Sequence, residues 1–260
     1  MTDSVPVPAP HFEGTLDYVR AWIEYRAWAT RTPGVQWAIG LKGRVLASGA
    51  WGIADLSSGE LLTEKHLFRI ASHSKTFTAT ATMILAERGA IRLDDVVATF
   101  VPELADVPAG AYTVRDLLSH ASGVIRDGYD ADYWSLARPF PDENELLAII
   151  RDRSDVIAPS TRLKYSNIGY SLLGLLLSRA TGKSYGEAVD ELVIEPLGLA
   201  DTSPEYLPER ASDYAAGHGP LHLSQERTRV IRHVDTRAMA AATGFTSTAR
   251  DLVRYAAAHT

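Results

Sequence analysis

The sequence predicts an α/β plus all-α chain: a small mixed lobe holding an antiparallel sheet, and a larger helical lobe. Three observations carry this. Strand patterning sits at the front, in "VQWAIGLKGRVLASGAWG" (35–52), where two apolar runs flank Lys42-Gly43, a hairpin signal. Helical spacing dominates from about Ile91 to Pro208. A capped helix, "STARDLVRYAAAH", follows at the end. The 260 residues, 46% of them hydrophobic, suffice for one sizeable core. We read 1–260 as a single unit, with 12–90 and 241–260 in the mixed lobe and 91–240 in the helical lobe.

Each element has its own signal. Residues 1–11 are Pro-rich and read as a loose arm. "TLDYVRAWIEYRAWAT" places Leu16, Val19, Trp22, Ile23 and Ala27 at helical spacing. After the hairpin, an extended segment leads into Phe68–Ile70. A helix runs from about Ser72 to Glu87-Arg88, with Gly89 as the residue that stops it. Thr113 and Asp116 have the spacing of an N-terminal capping box before Leu117 and Leu118. Residues 120–141, with two glycines and two prolines, read as a long loop. "DENELLAIIRD" starts a helix near Asp142, and "SNIGYSLLGLLLSRATG" is a strongly apolar helix stopped by Gly182. "SYGEAVDELVIEPLGL" reads as a helix ending before Pro196, and 208–240 are weakly patterned. Almost no strand is expected after Leu61. A two- or three-stranded sheet under so many helices is thin.

Composition narrows the function. The formal charge is −6 and the basic residues are scattered, so nothing suggests a nucleic-acid partner. The absence of cysteine excludes disulfides, thiol nucleophiles and thiolate metal sites. The eight histidines show no metal-binding spacing, and no cofactor or metal is expected. The N-terminus lacks the basic and apolar regions of a signal peptide, and no apolar run is long enough for a membrane. The expected compartment is the cytoplasm.

The chemistry begins at "FRIASHSKTFTATATMILAERGA". Ser72 and Lys75 stand three residues apart at the head of an apolar helix, on one face of it. A serine hydroxyl becomes a useful nucleophile when a base takes its proton, and a lysine one turn away can do so. Taken alone, Ser72 reads better as a helix cap and Lys75 as a solvated first-turn residue. Ser74 is a rival nucleophile, but it lies beside Lys75 in sequence and off its face. The second stretch, "LKYSNIGYSLLG", sets Tyr165, Ser166 and Asn167 before another apolar helix. Tyr165 alone reads as a packed aromatic, and Asn167 as a helix N-cap. Ser-x-x-Lys followed about ninety residues later by Tyr-Ser-Asn is a far more specific combination. The GxSxG elbow of α/β-hydrolases is absent.

On these residues the chain resembles the serine β-lactamase and penicillin-binding-protein superfamily, on its class C-related branch with a tyrosine in the second motif. "TVRDLLSHASGV", "IEPLGLADT" and "ATGFTSTARDLVRY" resemble that family's scaffold turns. The resemblance implies a β-lactamase/transpeptidase-like fold with the active site between the lobes. It implies that Ser72 is acylated, that Lys75 hydrogen-bonds the Ser72 hydroxyl, and that Tyr165 relays the proton to the leaving group. Asn167 would hold Lys75 and a carbonyl of a small-molecule or peptide substrate.

The family's third motif, Lys-Thr-Gly or His-x-Gly on a strand, has no match here. Ala242-Thr243-Gly244 runs instead into a capped helix. The sheet is therefore expected to be incomplete, with C-terminal strands missing and an unpaired, uncovered front hairpin. A complementary C-terminal polypeptide of the same precursor is the expected partner. The expected function is a serine hydrolase acting through an acyl-enzyme on an amide or ester: a D-amino-acid peptidase or amidase, an esterase or an acyltransferase. The rival is a non-catalytic binding or sensor module, or an inactive fragment.

Overall fold

The computed structural model describes residues 10–153, 156–219 and 230–259. The arm expected over 1–11 lies outside the described residues up to residue 9, and Pro10 already belongs to the first helix. Helix α1 (Pro10–Ala29) lies against the hairpin of β1 (Gly34–Leu41) and β2 (Arg44–Asp55). Its inward stripe is Leu16, Val19, Ile23 and Ala27. Trp22 does not join that stripe: it is exposed, on an outer face shared with Tyr18, Tyr25 and Trp28. The hairpin turns at Lys42 (φ 47°) and Gly43 (φ 76°). Two successive positive φ angles give the turn whose twist matches paired strands.

The strand β3 (Glu60–Leu61) adds to β2, so the sheet order is β1-β2-β3, and β1 has no strand on its other edge among the described residues. The hairpin is nevertheless covered more than its sequence suggested. The C-terminal helix packs across β1 and β2, and at Gly40 its Val253 comes so close that a Cβ there would sit 2.3 Å from a Val253 methyl. In the same region Gln36 of β1 accepts the Ala249 N–H and donates to the carbonyls of Thr63 and His66.

The chain then passes through β4 (Phe68–Arg69) into a 3-10 turn at Ala71–His73 and helix α2 (Ser74–Glu87). The regular α-helix thus begins two residues after Ser72. Short turns lead to α3 (Val114–Leu118), where the Thr113/Asp116 capping box is formed on both sides. The 120–141 loop contains a 3-10 turn at Asp132–Ser135, followed by α4 (Glu143–Arg153). Helix α5 (Asn167–Thr181) is the spine of the helical lobe, buried from Asn167 to Leu177 and ended by Gly182 at φ 68°.

The stop expected before Pro196 is not where the chain stops. Helix α6 (Tyr185–Val189) widens into a π turn at Asp190–Ile194 and continues as α7 (Glu195–Leu197), ending at Gly198. Proline has no N–H to give, and a π turn changes the bonding register just before it, so the helix passes through. The weakly patterned 208–240 region contributes a short pair, β5 (Gly217–His218) with β6 (Val230–Ile231), while 220–229 lie outside the described residues. Helix α8 (Ala240–Thr243) leads to β7 (Thr246–Ser247), which pairs antiparallel with β4, and to α9 (Ala249–Ala257), capped by Thr248. One continuous apolar core joins α2, α5 and α9. In it Phe77 stacks on Phe245 at 4.6 Å and on Tyr255 at 3.9 Å between ring centres.

Among the described residues no helix is long and apolar enough to cross a membrane.

Candidate active site

Two segments meet at the head of α2, with the end of α8 closing over them. The first is the turn at Ala71–His73, entered through Ala71 in the left-handed region at φ 47°. The turn is anchored from below by Ser74. Its hydroxyl donates to the Ala71 carbonyl at 2.6 Å and accepts the Phe245 N–H at 3.0 Å. Ser74 is fully buried, so its part is structural. Beside it, Ile70 N–H donates to the Phe245 carbonyl, and Arg69 reaches the Gly244 carbonyl and Glu205. The second segment is the stretch before α5. There Ser166, rather than Asn167, is the N-cap, its hydroxyl accepting the Gly169 N–H at 2.8 Å. Both residue types cap well. Capping by Ser166 leaves the Asn167 amide free to turn inward.

The four residues singled out from sequence lie together. The hydroxyls of Ser72 and Tyr165 are 2.7 Å apart. Lys75 Nζ donates to Ser72 Oγ at 3.4 Å, to Asn167 Oδ1 at 2.7 Å and to the Ala242 carbonyl at 2.8 Å. An ammonium has three N–H groups, and each has an acceptor here. Lys75 is 5% exposed, and its nitrogen lies 4.8 Å from the centre of the Tyr165 ring. Burial pushes the Lys75 ammonium below its ordinary pKa; Tyr165 and then Asp127 oppose that shift, and Arg126 adds to it.

Sequence reasoning missed two contributors. Ala242 acts through its backbone carbonyl, which no side-chain motif can announce. The segment Ala242-Thr243-Gly244 is thus no strand motif but the end of α8, closing over Lys75. Asp127, in the long loop, accepts from Asn167 Nδ2 at 2.6 Å. His120 accepts the Ser166 N–H on Nδ1 at 3.2 Å and lies 4.6 Å from the Tyr165 ring centre. Burial, then the Lys75 charge, lowers its pKa to about 4. It is therefore neutral near pH 7, as an Nδ1 acceptor must be.

Ser72, Lys75 and Tyr165 open on a groove of about 750 Å³ along the outer face of α2, past Ala79, Met83 and Ile84. No group of three potential metal-ligating side chains occurs among the described residues. The geometry offers a solvent-reachable hydroxyl bonded to a phenol, with a buried amine behind both. Such a set can move a proton on and off a serine oxygen.

Comparison with known proteins places the chain among relatives. The chain is 35% identical over 173 residues to Esterase EstB of Burkholderia gladioli, covering 61% of this chain and 44% of that protein. It is 30% identical over 190 residues to Penicillin-binding protein 4* of Bacillus subtilis (strain 168), covering 68% and 40%. The octameric penicillin-binding protein homologue from Pyrococcus abyssi superposes with a TM-score of 0.79 at 27% identity, over 93% of this chain and 55% of that one. The matched region thus spans about half or less of these curated relatives' own length. The family model described as Beta-lactamase matches residues 19–259, nearly the whole chain, and the protein belongs to the beta-lactamase family.

Proposed function

We propose that the chain is the acyl-enzyme-forming part of a serine hydrolase, with Ser72 as nucleophile. The observation that carries this is the bonded set Ser72–Tyr165–Lys75–Asn167 at the head of α2. In the proposed reaction Ser72 Oγ attacks the carbonyl carbon of an ester or amide, and its proton passes into the Tyr165–Lys75 pair. A neutral Lys75 keeps two N–H bonds, to Asn167 and Ala242, and turns its lone pair toward Ser72. The lowered Lys75 pKa favours that form. The tetrahedral intermediate then collapses as the same pair protonates the leaving alcohol or amine. Water attacks the acyl-enzyme by the reverse path and releases the acid.

An ester, or a D-amino-acid amide, is the substrate class we favour. The apolar groove beside Ser72 suits a hydrocarbon group on either side of the scissile bond.

Full turnover is proposed to need a second polypeptide, of the precursor type expected from the sequence. Two observations support this. The β1 edge is unpaired among the described residues, a ready site for an added strand. Tyr18, Trp22, Tyr25 and Trp28 form an exposed aromatic face on α1, of the kind that marks a contact surface.

A fluorophosphonate probe tests the acylation reading. The purified chain should gain the mass of one probe at Ser72, and Ser72→Ala should gain none. Labelling that survives in Ser72→Ala would refute it.

A further inference from the structure

The loop residue Asp127 has no side-chain role in the reaction as proposed, yet it is the best-bonded carboxylate near it. Its Oδ1 accepts from Asn167 Nδ2 at 2.6 Å and from the Trp134 indole N–H at 3.0 Å, and its Oδ2 pairs with Arg126 at 3.0 Å. Its backbone carbonyl accepts from the Tyr133 hydroxyl. Tyr133 is fully buried, so the loop is pinned to the core at this point. With both carboxylate oxygens engaged, Asp127 is not arranged as a ligand for an incoming cation.

Asn167 is what lies between Asp127 and Lys75. A carboxylate only accepts and an ammonium only donates. An amide placed between them has one orientation that satisfies both, with its NH₂ toward Asp127 and its oxygen toward Lys75. That is the orientation found, at 2.6 Å and 2.7 Å. We propose that Asp127 is a positioning residue for acylation: it fixes the Asn167 amide, and through it the aim of Lys75 at Ser72. This rests on the acyl-enzyme reading above for its rate consequences, but not for its effect on Lys75.

Two properties of Asp127 separate in two variants. Asp127→Asn keeps an acceptor oxygen for Asn167 and Trp134 but removes the charge. Asp127→Ala removes both. The charge matters because Lys75 is faced by Tyr165 and Tyr170 from the α5 segment, by His120 from the end of α3, and by Arg126 and Asp127 from the loop. Asp127 is the carboxylate of that set, and it favours the protonated amine.

The experiment follows both ends of the relay in the full chain. Lys75 is titrated by NMR in protein carrying [¹³Cε]lysine. Both variants should titrate at lower pH than wild type, because the carboxylate charge is gone. Fluorophosphonate labelling of Ser72 gives the rate. Asp127→Ala should lower the maximal labelling rate about 10²-fold, the size of a misplacement effect, with little change in the half-saturating probe concentration. Asp127→Asn should recover most of that rate. If Lys75 titrates unchanged in both variants, or if Asp127→Asn is as slow as Asp127→Ala, the positioning role is overturned. If wild type does not label while the Lys75 titration moves as expected, the acyl-enzyme reading fails and the electrostatic coupling of Asp127 to Lys75 stands.

Discussion

Replacing Gly174 by alanine tests how the helical lobe holds the site. Gly174 lies mid-way along α5, facing α8, and a Cβ there would sit 2.5 Å from the Ala241 Cβ. Carbon atoms in contact prefer about 3.5–4.0 Å, so α8 must retreat by ~1 Å. In an exposed helix the change would stabilise by about 1 kcal/mol. Overpacking a filled interior costs about 1–3 kcal/mol, so a small net destabilisation, about 1 kcal/mol, is expected from these two terms. The effect on chemistry should be larger. The Ala241 carbonyl accepts from Thr78 at 2.6 Å, and the Ala242 carbonyl accepts from Lys75 at 2.8 Å. A ~1 Å retreat takes the second bond out of range and frees Lys75 to swing from Ser72. Urea unfolding followed by tryptophan fluorescence gives the stability, and fluorophosphonate labelling of Ser72 gives the chemistry. Labelling should slow by about 10–10²-fold. A variant at least as stable as wild type that labels at the same rate would show that α8 does not set the Lys75 position.

Other outcomes follow from single contacts. Tyr165→Phe keeps the ring against His120 and removes the hydroxyl at Ser72; turnover should fall about 10²–10⁴-fold, and near-normal turnover would remove Tyr165 from the proton path. Ser74→Ala leaves the buried Phe245 N–H without its acceptor and should cost about 1–3 kcal/mol in chemical denaturation, whereas an exposed, idle Ser74 would cost nothing. Thr113→Ala breaks the capping box and should cost about 1 kcal/mol by the same measurement. His120 has a folded-state pKa of about 4, below its ordinary value of 6.5. Between those values the unfolded chain holds the proton and the folded chain does not. Its contribution is therefore complete above pH 6.5 and is lost as pH falls toward 4. Stability measured over this range should fall less steeply in His120→Asn than in wild type.

Much of the local structure was legible because single residues dictate it. Lys42-Gly43 takes two positive φ angles, Thr113 and Asp116 close a capping box, and Gly89 and Gly182 take the left-handed conformation after their helices. Ser72, Lys75, Tyr165 and Asn167 were legible because two motifs occur together in the right order. What escaped depends on partners far along the chain. Asp127 looks like an ordinary loop residue until Asn167 and Trp134 reach it. Ala242-Thr243-Gly244 was rightly set aside as a strand motif, but its closure over Lys75, with Ser74 and Arg69 holding the chain beside it against the head of α2, was not legible. Trp22 has helical spacing with Leu16 and Val19, yet stands on the other face, which a periodic count alone does not separate. Pro196 reads locally as a stop, and the π turn that lets the helix pass is not visible as a residue type.

The acceptors around Lys75 also set a timetable for synthesis. Lys75 leaves the ribosome early, but its bonds go to Asn167, 92 residues later, and to Ala242, 167 residues later. Contacts of such separation close late, after the intervening loop entropy has been overcome. Until residue 242 emerges, Lys75 lacks its main-chain acceptor, and water is its natural surrounding. A nascent chain halted before α8 therefore carries Ser72 and Lys75 without the Ala242 carbonyl that holds the lysine nitrogen. On the proposed role of Lys75, ribosome-bound chains of increasing length should acquire probe reactivity in one late step, after residue 242 has emerged.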